Sequence, residues 1–162
     1  AEHQHDTHAT SLKQYYKTII DWVELTFPKY RAKLMKGLNW GILYNEYGNN
    51  VYDPNELEKE INLLLQDDDI TKQKGIYEYL LSGKTKEKVL SIRAFTDNEK
   101  RQVYERQQGI CPHCAKEHRE KTQYEIEEME ADHITPWHDG GKTDINNCHV
   151  LCRECNRHKS GK

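Results

Sequence analysis

Apolar and aromatic side chains recur every three or four positions near the start of the chain. The members of this stripe are Leu12, Tyr15, Tyr16, Ile19, Val23 and Phe27. The spacing predicts an amphipathic helix over 11–27 whose stripe packs in a core. A short second helix is predicted over 29–36, and the Gly-, Asn- and Tyr-rich stretch over 37–52 is predicted to be a loop.

Two capping signals mark further helices. Asp53 is followed by Pro54 and by an acidic residue at the third position, which predicts a helix start before the apolar residues of 57–65. Thr96 and Glu99 form a capping box, and the helix that it opens is predicted to end at Gln108. A shorter helix is predicted over 71–81.

In the last part of the chain the apolar residues change from helical spacing to alternation. The alternation from Met129 to Ile134 predicts a short strand, and 149–151 is predicted to be a second strand. A loop containing Gly140-Gly141 separates them, and a helix is predicted to begin near Cys152. The pattern therefore predicts an α+β protein. We expect a disordered tail over 1–9, a helical connector or interaction region over 10–90, and a small separate domain over 91–162.

Composition narrows the class of protein. Hydrophobic residues make up 35% of the 162 residues and charged residues 31%, which argues against a large core. There is no run of eighteen apolar residues and no secretory signal, so we expect no membrane span and a cytoplasmic location. The net charge of −3 excludes a generally basic nucleic-acid binder. Residues 142–162, however, hold five basic residues against two acidic ones.

The cysteines carry the strongest chemical signal. Four of the five form two Cys-x-x-Cys pairs, Cys111 with Cys114 and Cys152 with Cys155. Two such turns supply four thiolates for a tetrahedral structural Zn²⁺ site, which would stabilise a domain too small to close its own core. Cys148 lies outside the pattern and is predicted to pack as a small apolar residue.

The residues between and after the cysteine pairs resemble a known family. The segments that carry the resemblance are Asp132-His133-Ile134-x-Pro136, Gly140-Gly141-x-Thr143, Asn147, Leu151-Cys152-x-x-Cys155-Asn156 and Lys159. They are similar to the HNH endonucleases, and the two Cys-x-x-Cys pairs are similar to the zinc-containing, McrA-like branch. The resemblance implies a ββα-metal (HNH) fold for the small domain and metal-dependent hydrolysis of DNA phosphodiester bonds.

The resemblance also implies roles for individual residues. His133 would be the general base, while Asp132 and Asn156 would bind one divalent cation, Mg²⁺ or alternatively Mn²⁺ or Ni²⁺. Asn147 would hold the loop after the first strand and orient His133. Asn156 stands where the family name has a histidine, and its amide oxygen is still a ligand for a hard cation.

Two features of the residues bear on this assignment. Asp132 and His133 are adjacent, so an ideal strand points them to opposite faces, and a local twist is needed to turn both toward one phosphate. The basic side chains of this region are expected to contact DNA phosphates without reading sequence. They are Lys142, Arg153, Arg157 and Lys159.

The upstream region has a second resemblance. Lys36-Gly37-Leu38-Asn39-Trp40 to Tyr47, Gly75 to Leu81 and Ile92 to Phe95 are similar to the helical connector of GmrSD-like bacterial proteins. In those proteins a ParB-like, nucleotide-using domain precedes a C-terminal HNH nuclease. This resemblance implies a bacterial restriction or anti-phage defence role, with the nucleotide-using domain as a partner absent from this chain. An oligomerisation role for 10–90 is left open.

The sequence therefore supports two alternative functions. The first is an endonuclease with structural zinc and a catalytic divalent cation. The alternative is a non-catalytic, zinc-stabilised module that binds nucleic acid or another protein. Both need the four cysteines, and only the nuclease needs Asp132, His133 and Asn156.

Overall fold

The computed structural model of the chain describes residues 9–159, so residues 1–8 of the predicted tail lie outside the described residues. The helices of this range are α1 (Ala9–Thr26), α2 (Ala32–Met35), α3 (Trp40–Tyr47), α4 (Pro54–Leu64), α5 (Gly75–Leu81), α6 (Asp97–Gln107), α7 (Pro112–Lys116) and α8 (Arg153–Lys159). The strands are β1 (Met129–His133) and β2 (Cys148–Cys152). Among the described residues, none of the helices combines the length and apolar character that a bilayer crossing requires.

The chain divides into two compact units between Ile92 and Arg93. The first unit contains α1 to α5, and its core is built around the side chain of Tyr77, which is fully buried. The ring centroids of Phe27 and Trp40 lie 5.1 and 5.8 Å from that of Tyr77 in edge-on contacts. Aromatic packing of this kind adds to the stabilisation that burial alone provides.

The apolar stripe predicted for the first helix is only partly buried in the core. Ile19 and Phe27 are buried, whereas the side chain of Tyr16 is 57% exposed. The prediction of a loop over 37–52 is wrong, because helix α3 occupies the centre of this segment. Leu43 and Tyr47 are the buried residues of that helix, and their spacing of four is helical.

The second unit is a mixed structure of helices and one small sheet. Strands β1 and β2 pair antiparallel, with Asp132 opposite His149 and His133 opposite Cys148. Helix α6 packs against β2, and its Val103 is fully buried in a core shared with the cysteines. The position of β2 is therefore set by both α6 and β1.

Helix α6 also completes the edge of the sheet with a side chain. The amide of Gln107 accepts a hydrogen bond from Val150 N at 2.8 Å and donates one to Val150 O at 3.0 Å. It thus pairs with both polar groups of a strand residue, as a neighbouring strand would. At the other end of α6 the predicted capping box is confirmed, with reciprocal bonds between Thr96 and Glu99.

Candidate functional site

The four cysteines of the two Cys-x-x-Cys pairs come together in the core of the second unit. Cys111 caps α7 and Cys114 lies within it, while Cys152 ends β2 and Cys155 lies in the first turn of α8. All four are buried, and their ligand atoms lie within 4.8 Å of one another.

The spacing of the sulfur atoms tests whether zinc fits. Cys114 Sγ is 3.7 Å from Cys152 Sγ and 3.5 Å from Cys155 Sγ. A Zn–S bond of about 2.3 Å places the sulfurs of a tetrahedral site about 3.8 Å apart. The cluster therefore fits a structural Zn²⁺ ion, and a site with four thiolate ligands leaves no position for water or substrate.

Cys148 is not part of this cluster. Its side chain is 1% exposed and packs in the core of the second unit, as predicted. Burial raises the pKa of its thiol to about 11, so the group stays protonated at neutral pH. It is a small apolar core residue rather than a ligand.

Asp132 lies among cationic and polar groups beside α8. Its Oδ2 atom is 2.7 Å from Lys159 Nζ and 3.7 Å from His149 Nε2. Burial would raise the pKa of the Asp132 carboxyl, but the His149 and Lys159 side chains outweigh burial and hold this pKa well below its usual range. The carboxylate is therefore ionised, which is the form that binds a cation. Lys159 also donates a hydrogen bond to His133 O.

Asn156 approaches the same face of β1 from α8. Its amide nitrogen donates to the Glu130 carboxylate, and Glu130 lies two residues before Asp132, so the two share a face of the strand. The amide oxygen of Asn156 is buried and has no hydrogen-bond partner within residues 9–159. A buried oxygen without a donor is costly, and a hard cation is one partner that would satisfy it. The Asp132 carboxylate and the Asn156 amide oxygen are both of the oxygen-donor type that hard divalent cations prefer.

His133 has different surroundings from Asp132. Its Nε2 atom lies 2.9 Å from Thr143 Oγ1, and its ring centroid is 4.7 Å from that of Phe95. The Thr143 hydroxyl in turn donates to Arg93 O at 3.2 Å. Asp132 and His133 therefore point to different neighbours, as the alternation along a strand predicts.

Asn147 fastens the loop that joins the two strands. Its side-chain oxygen accepts a hydrogen bond from Thr135 N, and its amide nitrogen donates to Thr135 O and Lys142 O, each at 2.9 Å. Gly141 lies against this network, because a Cβ atom there would be 1.8 Å from Thr135 O. These bonds lie where the resemblance places the loop-holding residue. The hydrogen bond to the His133 ring, however, is made by Thr143.

The four basic residues expected at DNA phosphates are placed differently from one another. Lys142 and Arg157 are exposed. Arg153 is exposed and donates to Glu127 O at 2.7 Å, whereas Lys159 pairs with Asp132. Three of them therefore lie on the surface near β2 and α8, and the fourth belongs to the carboxylate site.

Sequence reasoning missed two contacts of this site. The sequence assigns no role to Thr143, which is 2% exposed and lies within hydrogen-bond distance of His133. His149 lies opposite Asp132, and only the register of the sheet brings the two together. No local sequence signal marks either contact.

Comparison with known proteins gives one family match within the second unit. The family model described as HNH endonuclease matches residues 111–162, about a third of the chain. The matched range contains all four clustered cysteines together with Asp132, His133, Asn147 and Asn156. Searches of curated proteins and of solved structures found no match. The family match supports nuclease activity on nucleic acid, with DNA as substrate, for this part of the chain.

Proposed function

We propose that residues 93–162 form a metal-dependent DNA endonuclease of the ββα-metal type, held together by a structural zinc ion. The observation that carries the proposal is the HNH match over 111–162, within which the four cysteines cluster in one folded core. In the proposed arrangement β1, β2 and α8 are the two strands and the helix of the active site. The zinc-containing, McrA-like branch is the proposed subfamily.

Hydrolysis requires a base for the attacking water, and His133 is proposed for this role. The ring is half-buried and is held by Phe95 and Thr143, which limits its rotation. An imidazole accepts protons near neutral pH. A positioned ring therefore removes the proton from water as the new P–O bond forms.

Asp132 and Asn156 are proposed to hold the divalent cation. The ionised carboxylate and the unpartnered amide oxygen are hard donors, which favours Mg²⁺, with Mn²⁺ or Ni²⁺ as substitutes. When bound, such a cation would neutralise charge on the phosphate and on the leaving 3′ oxygen. His149 and Lys159 lower the pKa of the Asp132 carboxyl, which favours the ionised form that a cation would need.

DNA contacts are proposed for the basic residues around the site. Lys142, Arg153 and Arg157 expose positive charge on a chain whose net charge is −3. Binding would therefore depend on this local surface and would weaken with salt, because phosphate contacts release counterions. Lys159 is also proposed to contact DNA, in addition to its ion pair with Asp132.

A defence context is proposed for the whole chain. It rests on the similarity of Lys36 to Tyr47, Gly75 to Leu81 and Ile92 to Phe95 to the connector of GmrSD-like bacterial proteins. In this proposal residues 10–90 link the nuclease in the cytoplasm to a nucleotide-using domain or to a second copy of the chain. Restriction of foreign DNA would then be controlled outside the nuclease unit.

One observation favours the alternative of a non-catalytic module. The ammonium of Lys159 already pairs with the carboxylate that the nuclease needs for its cation. A zinc-stabilised domain that only binds nucleic acid or protein would keep the four cysteines and have no use for His133. The two functions differ in whether DNA is cut.

Cleavage of supercoiled plasmid by the full, zinc-loaded chain tests the proposal. We expect nicking or linearisation with Mg²⁺, Mn²⁺ or Ni²⁺, and His133→Ala should lower the rate by about 100-fold or more because it removes the base. Asn156→Ala should raise the cation concentration needed for half-maximal cleavage. His118→Asn is the matched control, since His118 is exposed, has a φ of 53° and lies outside the site.

Each outcome of this assay has a defined meaning. Zinc content and circular dichroism establish that each variant is folded. Wild-type protein that is folded and zinc-loaded but inert with all three cations would support the binding module. Equal cleavage by the wild type and His133→Ala would show that His133 is not the base.

A further inference from the structure

We infer that the ammonium group of Lys159 holds the position of the divalent cation in this structure, and that His149 is a further ligand of the cation that replaces it. The inference rests on the proposed function in one respect, because it takes Asp132 as a cation ligand. It adds a nitrogen donor to the ligands proposed above, and it makes Lys159 a competitor of the cation.

Three acceptor atoms surround the Lys159 ammonium. Its Nζ atom lies 2.7 Å from Asp132 Oδ2 and 3.4 Å from His149 Nε2, and it donates a hydrogen bond to His133 O. An ammonium group carries a positive charge and has three donors and no acceptor. Carboxylate oxygens, carbonyl oxygens and imidazole nitrogens are also the ligands that divalent cations use in proteins. The ammonium therefore lies where these atoms would bind an ion.

The pairing of the two strands brings two of these acceptors together. Asp132 lies directly opposite His149 in the sheet, so their side chains emerge on the same face. Asp132 Oδ2 and His149 Nε2 are 3.7 Å apart. Two ligand atoms bound to one ion at about 2.1 Å lie between about 3.0 and 4.2 Å apart, depending on the angle at the ion. The observed distance therefore allows both atoms to bind one cation.

Helix α8 carries both Lys159 and the other proposed ligand, Asn156. The two residues are three positions apart and therefore share one face of the helix. Asn156 donates to Glu130 and Lys159 pairs with Asp132, and these two acidic residues share a face of β1. The ammonium thus lies on the side of the strand that the Asn156 amide also approaches.

Lys159 and a divalent cation are expected to exclude each other from this position. A cation bound to Asp132 Oδ2 would lie within about 5 Å of an ammonium on the same oxygen, and two positive charges repel at that distance. The lysine side chain is able to leave, because Lys159 ends α8 and its side chain is 23% exposed. Ion pairs near the surface contribute little to stability, so displacement of the ammonium costs little free energy.

Binding of Mn²⁺ to the full, zinc-loaded chain tests the competition. The EPR signal of free Mn²⁺ weakens on binding, so a titration gives the Kd without a cleavage assay. Lys159→Met keeps the length of the side chain but removes the charge. It should lower the Kd by about 10-fold or more, because the cation position is then always available. Lys159→Gln should act in the same way, and Lys159→Arg, which keeps the charge, should stay close to the wild type.

Lys116→Met is the matched control for the loss of charge. Lys116 is an exposed residue of α7, and its substitution removes one positive charge outside the site. The Kd for Mn²⁺ should stay close to the wild-type value. An equal decrease in Lys116→Met and Lys159→Met would show an effect of net charge and would overturn the competition.

Pulsed EPR of bound Mn²⁺ tests His149 as a ligand. The ion bound to Lys159→Met should show coupling to a directly bound nitrogen. The coupling should disappear in the double variant Lys159→Met/His149→Phe, which keeps a ring at position 149 but removes the nitrogen donor. Replacing His118 by Asn in the Lys159→Met chain is the control and should leave the coupling unchanged, since His118 is an exposed residue outside the site.

The outcomes separate this inference from the proposed function. Zinc content and circular dichroism establish that each variant is folded. An unchanged or higher Kd in Lys159→Met and Lys159→Gln overturns the inference, as does a nitrogen coupling that is absent from Lys159→Met or persists without His149. The expected binding results in a protein that does not cut DNA would support the inference and contradict the nuclease proposal. Cleavage that depends on His133, without tighter Mn²⁺ binding in Lys159→Met, would support the nuclease and contradict the inference.

Discussion

Gly140 and Gly141 are adjacent, yet the structure requires glycine at them for different reasons. Gly140 has a φ of 88°, and a Cβ atom there would meet nothing within 4 Å. At Gly141 a Cβ atom would lie 1.8 Å from Thr135 O and 2.7 Å from Asn147 Nδ2. At Gly140 the backbone conformation disfavours a side chain, whereas at Gly141 the hydrogen-bonded atoms of the loop leave no space for one.

This difference predicts unequal effects of the same substitution. Gly140→Ala should lower the free energy of unfolding by about 1 kcal/mol, the cost of a left-handed residue with a Cβ. Gly141→Ala should cost clearly more, because Thr135 can move away only if its bonds with Asn147 break. Denaturant unfolding of the zinc-loaded chain measures both values. Equal values would show that the loop adapts to a side chain at 141.

The contacts of the individual site residues differ in how well the sequence predicts them. Cysteine spacing alone predicts the zinc cluster, because each Cys-x-x-Cys turn brings its own two sulfurs together. The bond between Thr143 and Arg93 joins residues fifty positions apart, and no local pattern encodes such a contact. Lys159 is similar: its charge suggests a phosphate contact, while the structure pairs it with Asp132. Spacing predicts local geometry, and tertiary packing decides partners.

At the scale of elements, the four cysteines join α7, β2 and α8. These elements are short, with five residues in α7 and five in β2. Isolated elements of this length are not stable in water. A zinc ion bound by the four cysteines would therefore supply much of the folding free energy, because zinc binding to structural sites contributes roughly 10 kcal/mol or more.

Removal of one ligand should unfold this part of the chain. Cys152→Ala is expected to lose the zinc ion and the ordered structure of the second unit, because three thiolates do not complete the site. Cys148→Ala is the matched control, since that cysteine is equally buried but lies outside the cluster. Zinc per chain and circular dichroism report the result. Zinc loss in Cys148→Ala, or retention in Cys152→Ala, would contradict the assignment of the ligands.

The elements themselves were predictable where the pattern is periodic and capped. Thr96 and Glu99 mark the start of α6 in the sequence, and the structure shows both bonds of the box. Helix α3 was missed because its Gly, Asn and Tyr content is typical of a loop. Leu43 and Tyr47 nevertheless have helical spacing, and their burial against the core outweighs local composition.

At the scale of the whole molecule, the second unit contains all the contacts described for the site. Its core cluster runs from Phe95 to Cys155, and Arg93 contributes the bonds to Thr143. The HNH match, by contrast, begins only at Cys111 and omits α6. The unit defined by packing is therefore larger than the unit defined by family resemblance.

Two fragments distinguish these definitions. The fragment 93–162 should fold with one zinc ion and cleave plasmid DNA, because it keeps Val103, Gln107 and Arg93. The fragment 111–162 lacks the helix that buries one face of β2 and pairs with Val150, so it should bind zinc more weakly and lack a cooperative unfolding transition. Calorimetry and zinc content compare the two. Equal stability and cleavage by both would show that α6 and the segment before it are dispensable.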